Sequence, residues 1–272
     1  MKASELTAEI LKKQSYLCVG LDPDPTKLPT HISASASGFE KFCLQIIEAT
    51  EEFAVAYKVN TAFFERLGST GWQAMESIFK HLAGKRVFSI ADAKRADIGN
   101  TSSQYAQAFF ENLGADAVTL SPYMGSDSIA PFLQYEDKSA ILLALTSNPG
   151  HSDFEMLELK NGNRLFEQVI ETALSWPKKG ELMFVVGATR SSEIAAIRKI
   201  CPDSFLLVPG VGAQGGSLKE ISEFGMTSEV GLLVNASRSI LYASSGQDFA
   251  LKAAQEARNI QQEMAVFLLQ RH

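Results

Sequence analysis

The chain has 272 residues, 46% of them apolar and 21% charged, which suits one large globular domain with a substantial core and excludes a disordered or fibrous protein. A net charge of −6, with lysines and arginines that form no block, argues against a nucleic-acid polymer as partner, and no apolar run approaches the ~20 residues of a membrane span. Three cysteines without CxxC spacing and four scattered histidines without an HxxxH pair exclude a disulfide framework and a thiolate or histidine metal centre, and suit the buried thiols of a reducing, cytoplasmic compartment.

The opening MKASELTAEILKKQSY is amphipathic and charged, without the apolar core and small-residue cleavage site of a signal peptide, and reads as an initial helix. Short apolar runs then recur along the chain. They cover residues 16–21, 53–59, 86–91, 117–120, 140–145, 182–186, 205–208 and 231–234. Each ends in polar or glycine-rich residues, and segments such as FERLGSTGWQAMESIFKHL and SSQYAQAFFENLG between them carry apolar residues at helical spacing. Eight alternating units predict a parallel sheet closed into a (β/α)8 TIM barrel, a single domain over residues 1–272. The initial helix and the terminal run DFALKAAQEARNIQQEMAVFLL flank it.

Strand alternation sorts the side chains of each run. In FAVAYKVN, Ala54, Ala56, Lys58 and Asn60 share one face and Phe53, Val55, Tyr57 and Val59 the other, and the small and polar set belongs on the barrel axis. In YLCVGLD the same logic groups Cys18, Gly20 and Asp22. Asp22 is thereby placed at the C-terminal mouth, where barrel enzymes keep their chemistry.

Directly after the third run stands the cluster Asp92-Ala-Lys94-Arg-Ala-Asp97-Ile-Gly-Asn-Thr101. In an arbitrary surface stretch D-x-K-x-x-D is a solvated charge run; at the end of a barrel strand it is a candidate catalytic centre. Asp92 and Lys94, two apart on an extended segment, share a face, and Lys58 on the neighbouring strand lies beside them. Two like charges ~4 Å apart repel by about 4 kcal/mol at an effective dielectric near 20, so an array of carboxylates needs ammonium groups between its members. A lysine held between carboxylates keeps its proton and is a candidate general acid.

A second cluster reads as a phosphate site. Pro209-Gly210-Val211-Gly212-Ala213-Gln214-Gly215-Gly216 follows the seventh run and Asn235-Ala236-Ser237-Arg238 the eighth, the two positions where such barrels often bind phosphate. Gln214 offers amide donors and Arg238 a two-pronged grip. After the fifth run, Leu145-Thr146-Ser147-Asn148-Pro149-Gly150 leads into the polar stretch HSDFEMLELKNGN, long enough for a lid over the mouth.

Taken together, VGLDPDP, AYKVNTAFFE, DAKRADIGNT, LTSNPG, VPGVGAQGG and the Arg238 loop resemble the orotidine 5′-phosphate decarboxylase family, in its bacterial branch of longer chains, over nearly the whole sequence. The resemblance implies decarboxylation of orotidine 5′-monophosphate (OMP) to UMP without metal or organic cofactor. It implies Asp22 and Lys58 at the ribose, Asp92 and Lys94 as the central pair with Lys94 the proton donor to C6, and Ser147 on the pyrimidine. Pro209, Gln214 and Arg238 fall on the phosphate side. Asp97 and Thr101 reach, by the same likeness, into the site of a second subunit, so a homodimer is implied. Where many relatives have glycine before the arginine, this chain has Ser237, which puts the backbone of that grip in question.

Two other readings compete. A Mg²⁺-dependent sugar-phosphate decarboxylase or aldolase of the same barrel group also carries D-x-K-x-x-D, but DIGNT and TSNPG favour the nucleotide. A phosphate-ligand sensor on a retired barrel is disfavoured by the retention of every charged position in the array.

Overall fold

The recurring apolar runs form parallel strands that close on one another in sequence order. In the computed structural model, which describes residues 1–187, 191–210 and 217–270, helix α1 (Ala3–Lys13) is followed by β1 (Leu17–Leu21), α2 (Ala36–Thr50), β2 (Ala56–Asn60), α3 (Thr61–Glu65) and α4 (Ser69–Ala83). Next come β3 (Phe88–Arg95), α5 (Gly99–Ala106), β4 (Ala117–Leu120), α6 (Ser126–Leu133), β5 (Ser139–Leu145), α7 (Leu165–Leu174) and β6 (Glu181–Val186). The chain continues through α8 (Ser191–Ile200), β7 (Leu206–Pro209), α9 (Leu218–Gly225), β8 (Leu232–Ala236), α10 (Arg238–Leu241) and α11 (Phe249–Leu269). The strands form one closed barrel from β1 to β8, with β8 pairing back onto β1 through Cys18 and Asn235. This is the expected (β/α)8 architecture.

Strand alternation holds as read. The register sets Gly20 beside Lys58 and Lys58 beside Ile90, so the small and polar face of β2 looks along the axis. Tyr57 points the other way into the helical layer, where its hydroxyl meets Thr50 Oγ1 at 2.8 Å and donates to the Ile47 carbonyl at 3.1 Å. Helix α2 presents Phe39, Phe42, Cys43, Ile46 and Ile47 to the sheet at helical spacing, and starts at Ser35, whose hydroxyl accepts from the Gly38 amide.

Strand bounds differ from the apolar runs most at β3, which continues through the charged residues to Arg95 where the run of apolar residues ended at Ala91. Charged residues are tolerated in the strand because they face the mouth of the barrel, so hydrophobicity understates the strand's length. The polar stretch after β5 is also more ordered than a bare loop: it contains a 3₁₀ turn (Pro149–Asp153) and an antiparallel bridge between Glu158 and Arg164.

The opposite end of the barrel is closed by α1 and tied by side chains. Lys13 Nζ donates to the Glu51 and Ala54 carbonyls at 2.8 Å, Arg86 Nε meets Glu9 at 2.8 Å, and the Thr7 hydroxyl reaches the Glu229 carbonyl. Arg198 on α8 donates to the carbonyls of Gly225 (2.9 Å), Cys201 (3.0 Å), Ser204 (2.7 Å) and Gly231 (3.0 Å), binding α8, β7 and the entry to β8 into one unit. Arg198→Met keeps the stem and leaves those carbonyls without their donor; stability measured by urea unfolding is expected to fall by about 3 kcal/mol. A change below ~0.5 kcal/mol, the scatter of ordinary surface substitutions, would show that the guanidinium is not what joins these elements.

Candidate active site

The C-terminal strand ends enclose a cavity of about 470 Å³. Its wall brings together Asp22 after β1, Lys58 on β2, Asp92 and Lys94 on β3, Ser147 after β5, Pro209 at the end of β7 and Arg238 at the start of α10. Charges alternate along this wall from Asp22 through Lys58 and Asp92 to Lys94. Lys58 Nζ lies 2.7 Å from Asp92 Oδ2 and 3.7 Å from Asp22 Oδ1, and Lys94 Nζ lies 2.5 Å from Asp92 Oδ1. Thr119 on β4 adds a donor, its hydroxyl giving a 3.0 Å hydrogen bond to Asp92 Oδ1.

Burial alone drives the Asp92 carboxyl upward, but the ammonium groups of Lys58 and Lys94 outweigh it and hold Asp92 well below the usual carboxylate range. For Lys58 burial likewise favours the neutral amine, and the carboxylates of Asp92 and then Asp22 outweigh it, keeping the group above the usual lysine range. The Cys18 thiol, deeper in the barrel, is pushed up to about 12 by burial and adds no further anion to the array.

Lys94 reaches the cavity by a bulge rather than by plain alternation. The register advances from Ala91 opposite Val118 to Arg95 opposite Leu120, so β3 carries two residues more than β4 over that step, and Lys94 takes φ +48°. That left-handed conformation costs an L-residue roughly 1 kcal/mol and persists only where surroundings enforce it. Here the displaced Lys94 amide donates to Thr119 Oγ1 at 3.0 Å.

The far wall carries Pro209, Gly210 and Arg238. Ser237, the departure noted in the sequence, has φ −119° and so needs no glycine. It fits because Gly20 has no side chain: a Cβ there would lie 1.9 Å from Ser237 Oγ. Asn235 Nδ2 donates to Ser237 Oγ at 3.2 Å. Residues 211–216, and with them Gln214, lie outside the described residues. Tyr242, just after α10, accepts from the Asp24 amide at 2.7 Å and donates to the Asp22 carbonyl at 2.8 Å while stacking on Phe42, which joins the Arg238 segment to the loop bearing Asp22.

On the β5 side, Thr146, Ser147 and Asn148 line the cavity. Glu155 clamps this segment, accepting from the Thr146 amide at 2.7 Å and its hydroxyl at 2.9 Å. Gly187 permits the close approach, since a Cβ there would lie 2.5 Å from the Ser147 nitrogen.

Asp97 and Thr101 do not line this cavity. Asp97 is half-buried and accepts from the Ile98 amide at 2.8 Å, and Thr101 is exposed on α5. Sequence reasoning passed over Thr119, Tyr242 and Glu155. For Thr119 a signal existed: in AVTL it alternates with Val118 and Leu120 and so belongs on the axis. Glu155 and Tyr242 act through tertiary contacts that no local pattern carries.

The cavity combines Arg238 and Lys27 with buried acceptors. Asp22 Oδ1 and Asn235 Oδ1 have no hydrogen-bond partner among the described residues, so the site can accept hydrogen bonds from ligand hydroxyls and grip an anion. Among the described residues no group of three or more His, Cys, Asp or Glu side chains is arranged to hold a metal ion.

The family described as Orotidine 5′-phosphate decarboxylase / HUMPS matches residues 15–253. The chain is 53% identical over 267 residues to an orotidine 5′-phosphate decarboxylase of Flavobacterium johnsoniae, covering 97% of each chain. It is 52% identical over 270 residues to that of Porphyromonas gingivalis, covering 98% of each. Among solved structures, the OMP decarboxylase of Leishmania donovani superposes with a TM-score of 0.82 at 37% identity, over 96% of this chain and 99% of that one. With this barrel and with a match that spans most of its length, the chain belongs to the orotidine 5′-phosphate decarboxylase / HUMPS family.

Proposed function

We infer that this chain is an orotidine 5′-phosphate decarboxylase, converting OMP to UMP and CO2 in pyrimidine biosynthesis. The observation that carries the assignment of roles is the Asp92 carboxylate held between Lys58 and Lys94 at the cavity wall. The phosphate sits at Arg238 and Pro209, with Gln214 as the further contact proposed from the sequence. Asp22 and Lys58 take the ribose hydroxyls, and Ser147 the pyrimidine. Binding energy from the phosphate end holds the substrate carboxylate against Asp92. The C6–carboxylate bond breaks, CO2 leaves, and the electron pair stays on C6 beside the Lys94 ammonium. Lys94 then gives its proton to C6 and is reprotonated from solvent. Phe63, Leu143, Val185 and Leu207 line the same cavity and exclude water from the reacting end.

The proposal extends to one domain over residues 1–272 that works in the cytoplasm without metal or organic cofactor, and to a homodimer. Three buried free thiols suit a reducing compartment, and no helix of the described residues is long and apolar enough to cross a membrane. For the dimer, the support is that Asp97 and Thr101 stand outside their own chain's cavity on a rim that exposes Ile98, Tyr123 and Met124. A second copy covers this rim and receives Asp97 and Thr101 into its site. The Mg²⁺-dependent alternative is not favoured, because the relatives at 52–53% identity are named decarboxylases of the nucleotide.

Loss of OMP followed by ultraviolet absorbance is expected to proceed unchanged in EDTA; abolition by the chelator would return the metal-dependent reading. Lys94→Ala should lose turnover by at least about 10³-fold while binding UMP within a few-fold, whereas Arg238→Ala should mainly weaken UMP. Near-normal turnover without Lys94 removes the assigned acid. Because Asp92 is lowered it stays ionised below its ordinary ~3.9, and because Lys58 is raised it stays protonated above ~10.4. Neither changes charge between, so kcat should show no inflection from this pair from about pH 5 to 9, and one that disappears in Asp92→Asn would contradict the array. Sedimentation should give twice the 29.6 kDa chain mass, and mixing inactive Lys94→Ala with inactive Asp97→Ala should recover turnover. No recovery from a mixed dimer would place Asp97 elsewhere.

A further inference from the structure

Strand β4 supplies the array with a residue that carries no charge. Thr119 is 1% exposed, and its single hydroxyl serves both members of the central pair: Oγ1 accepts from the Lys94 backbone amide at 3.0 Å and donates to Asp92 Oδ1 at 3.0 Å. The first bond stands in for a lost ladder bond. Between the Ala91–Val118 and Arg95–Leu120 pairings β3 slips out of register with β4, and a backbone amide freed by a bulge inside a barrel needs another acceptor. Lys94 has positive φ within that slip, a conformation an L-residue keeps only when its neighbours fix it.

The second bond orients the carboxylate. Asp92 Oδ2 is taken by Lys58, while Oδ1 receives both Lys94 Nζ and the Thr119 hydroxyl. A threonine in a strand has restricted χ1, so the hydroxyl is a fixed point against which the Asp92 side chain and the Lys94 main chain are both registered. We propose that Thr119 is the positioning residue of this site, holding the β3 bulge so that the Lys94 ammonium and the Asp92 carboxylate face the reacting carbon together. The proposal rests on the decarboxylase reading and deepens it.

Thr119→Val keeps the shape and removes the hydroxyl; Thr119→Ser keeps the hydroxyl. In Thr119→Val, kcat for OMP is expected to fall about 10- to 100-fold, the cost of a misplacement near 1 Å, with KM and UMP affinity changed less than about threefold because phosphate and ribose contacts are untouched. Thr119→Ser should stay within about threefold of wild type in kcat. A readout independent of turnover is amide hydrogen exchange at Lys94, protected in wild type and Thr119→Ser and fast in Thr119→Val. Equal losses in the Val and Ser variants, a kcat loss matched by lost UMP binding, or an equally protected Lys94 amide in Thr119→Val overturns the proposal. Should Thr119→Val be insoluble, Thr119→Ala carries the same comparison, and insolubility of both overturns it too, since the hydroxyl would then serve the fold. A wild-type chain inactive on OMP refutes the functional reading instead, and the exchange measurement still decides the role of Thr119.

Discussion

A carboxylate buried in a protein is costly unless opposite charge and hydrogen bonds replace its water, and Asp92 meets both conditions at the barrel mouth. It is 8% exposed, with an ammonium group on each oxygen. Such an arrangement is weak evidence for stability, because well-packed apolar side chains of similar volume often serve a fold as well or better. Its placement in a cavity, with Asp22 extending it on one side, argues that it is kept for chemistry. The array also depends on strand register: Lys58 and Asp92 come from adjacent strands whose register sets Asn60 opposite Asp92, so Lys58 rises from one layer below to meet the carboxylate. Sliding β2 by one residue would turn that lysine into the helical layer.

The two ends of the barrel divide the work. At the closed end, α1 and Arg198 satisfy main-chain carbonyls with side-chain donors, which stabilises the strands without shaping the cavity. At the open end, the loops are joined to one another: Tyr242 links the Arg238 segment to the Asp22 loop, and Glu155 holds the Ser147 segment. Contacts made at the Arg238 segment therefore have a physical route to the Asp22 loop. Remote binding energy can be spent on orientation only if the parts that receive it are connected.

Much of this was legible in the amino-acid sequence. Repetition of apolar runs gives the barrel, alternation within FAVAYKVN puts Lys58 on the axis and Tyr57 outside, and the position of DAKRADIGNT marks the mouth. What escaped did so for definable reasons. Charged residues hide the last half of β3 from a hydrophobic reading, and a bulge is invisible to a period of two, so Lys94 arrives in the cavity by a route the spacing does not contain. Glu155 and Tyr242 act across nine and 220 positions respectively, and such pairings come only from the folded chain. The serine before Arg238 looked like a disturbance because its compensation, the bare Cα of Gly20, lies more than two hundred residues earlier.

Net charge misleads in the same way. A chain of −6 would repel an anionic ligand if its charges acted as a sum, but exposed charges are screened within about 10 Å and the ligand meets only the local set. Four cations, Lys27, Lys58, Lys94 and Arg238, and three carboxylates, Asp22, Asp24 and Asp92, line the described part of the cavity. Lys58 and Lys94 are already engaged by Asp92, which leaves Lys27 and Arg238 as the cations least committed to the array. The described wall thus carries one more cation than carboxylate, a local positive excess inside a chain that is negative overall. The distribution of charge over the wall, rather than the total over the chain, decides what the cavity can receive.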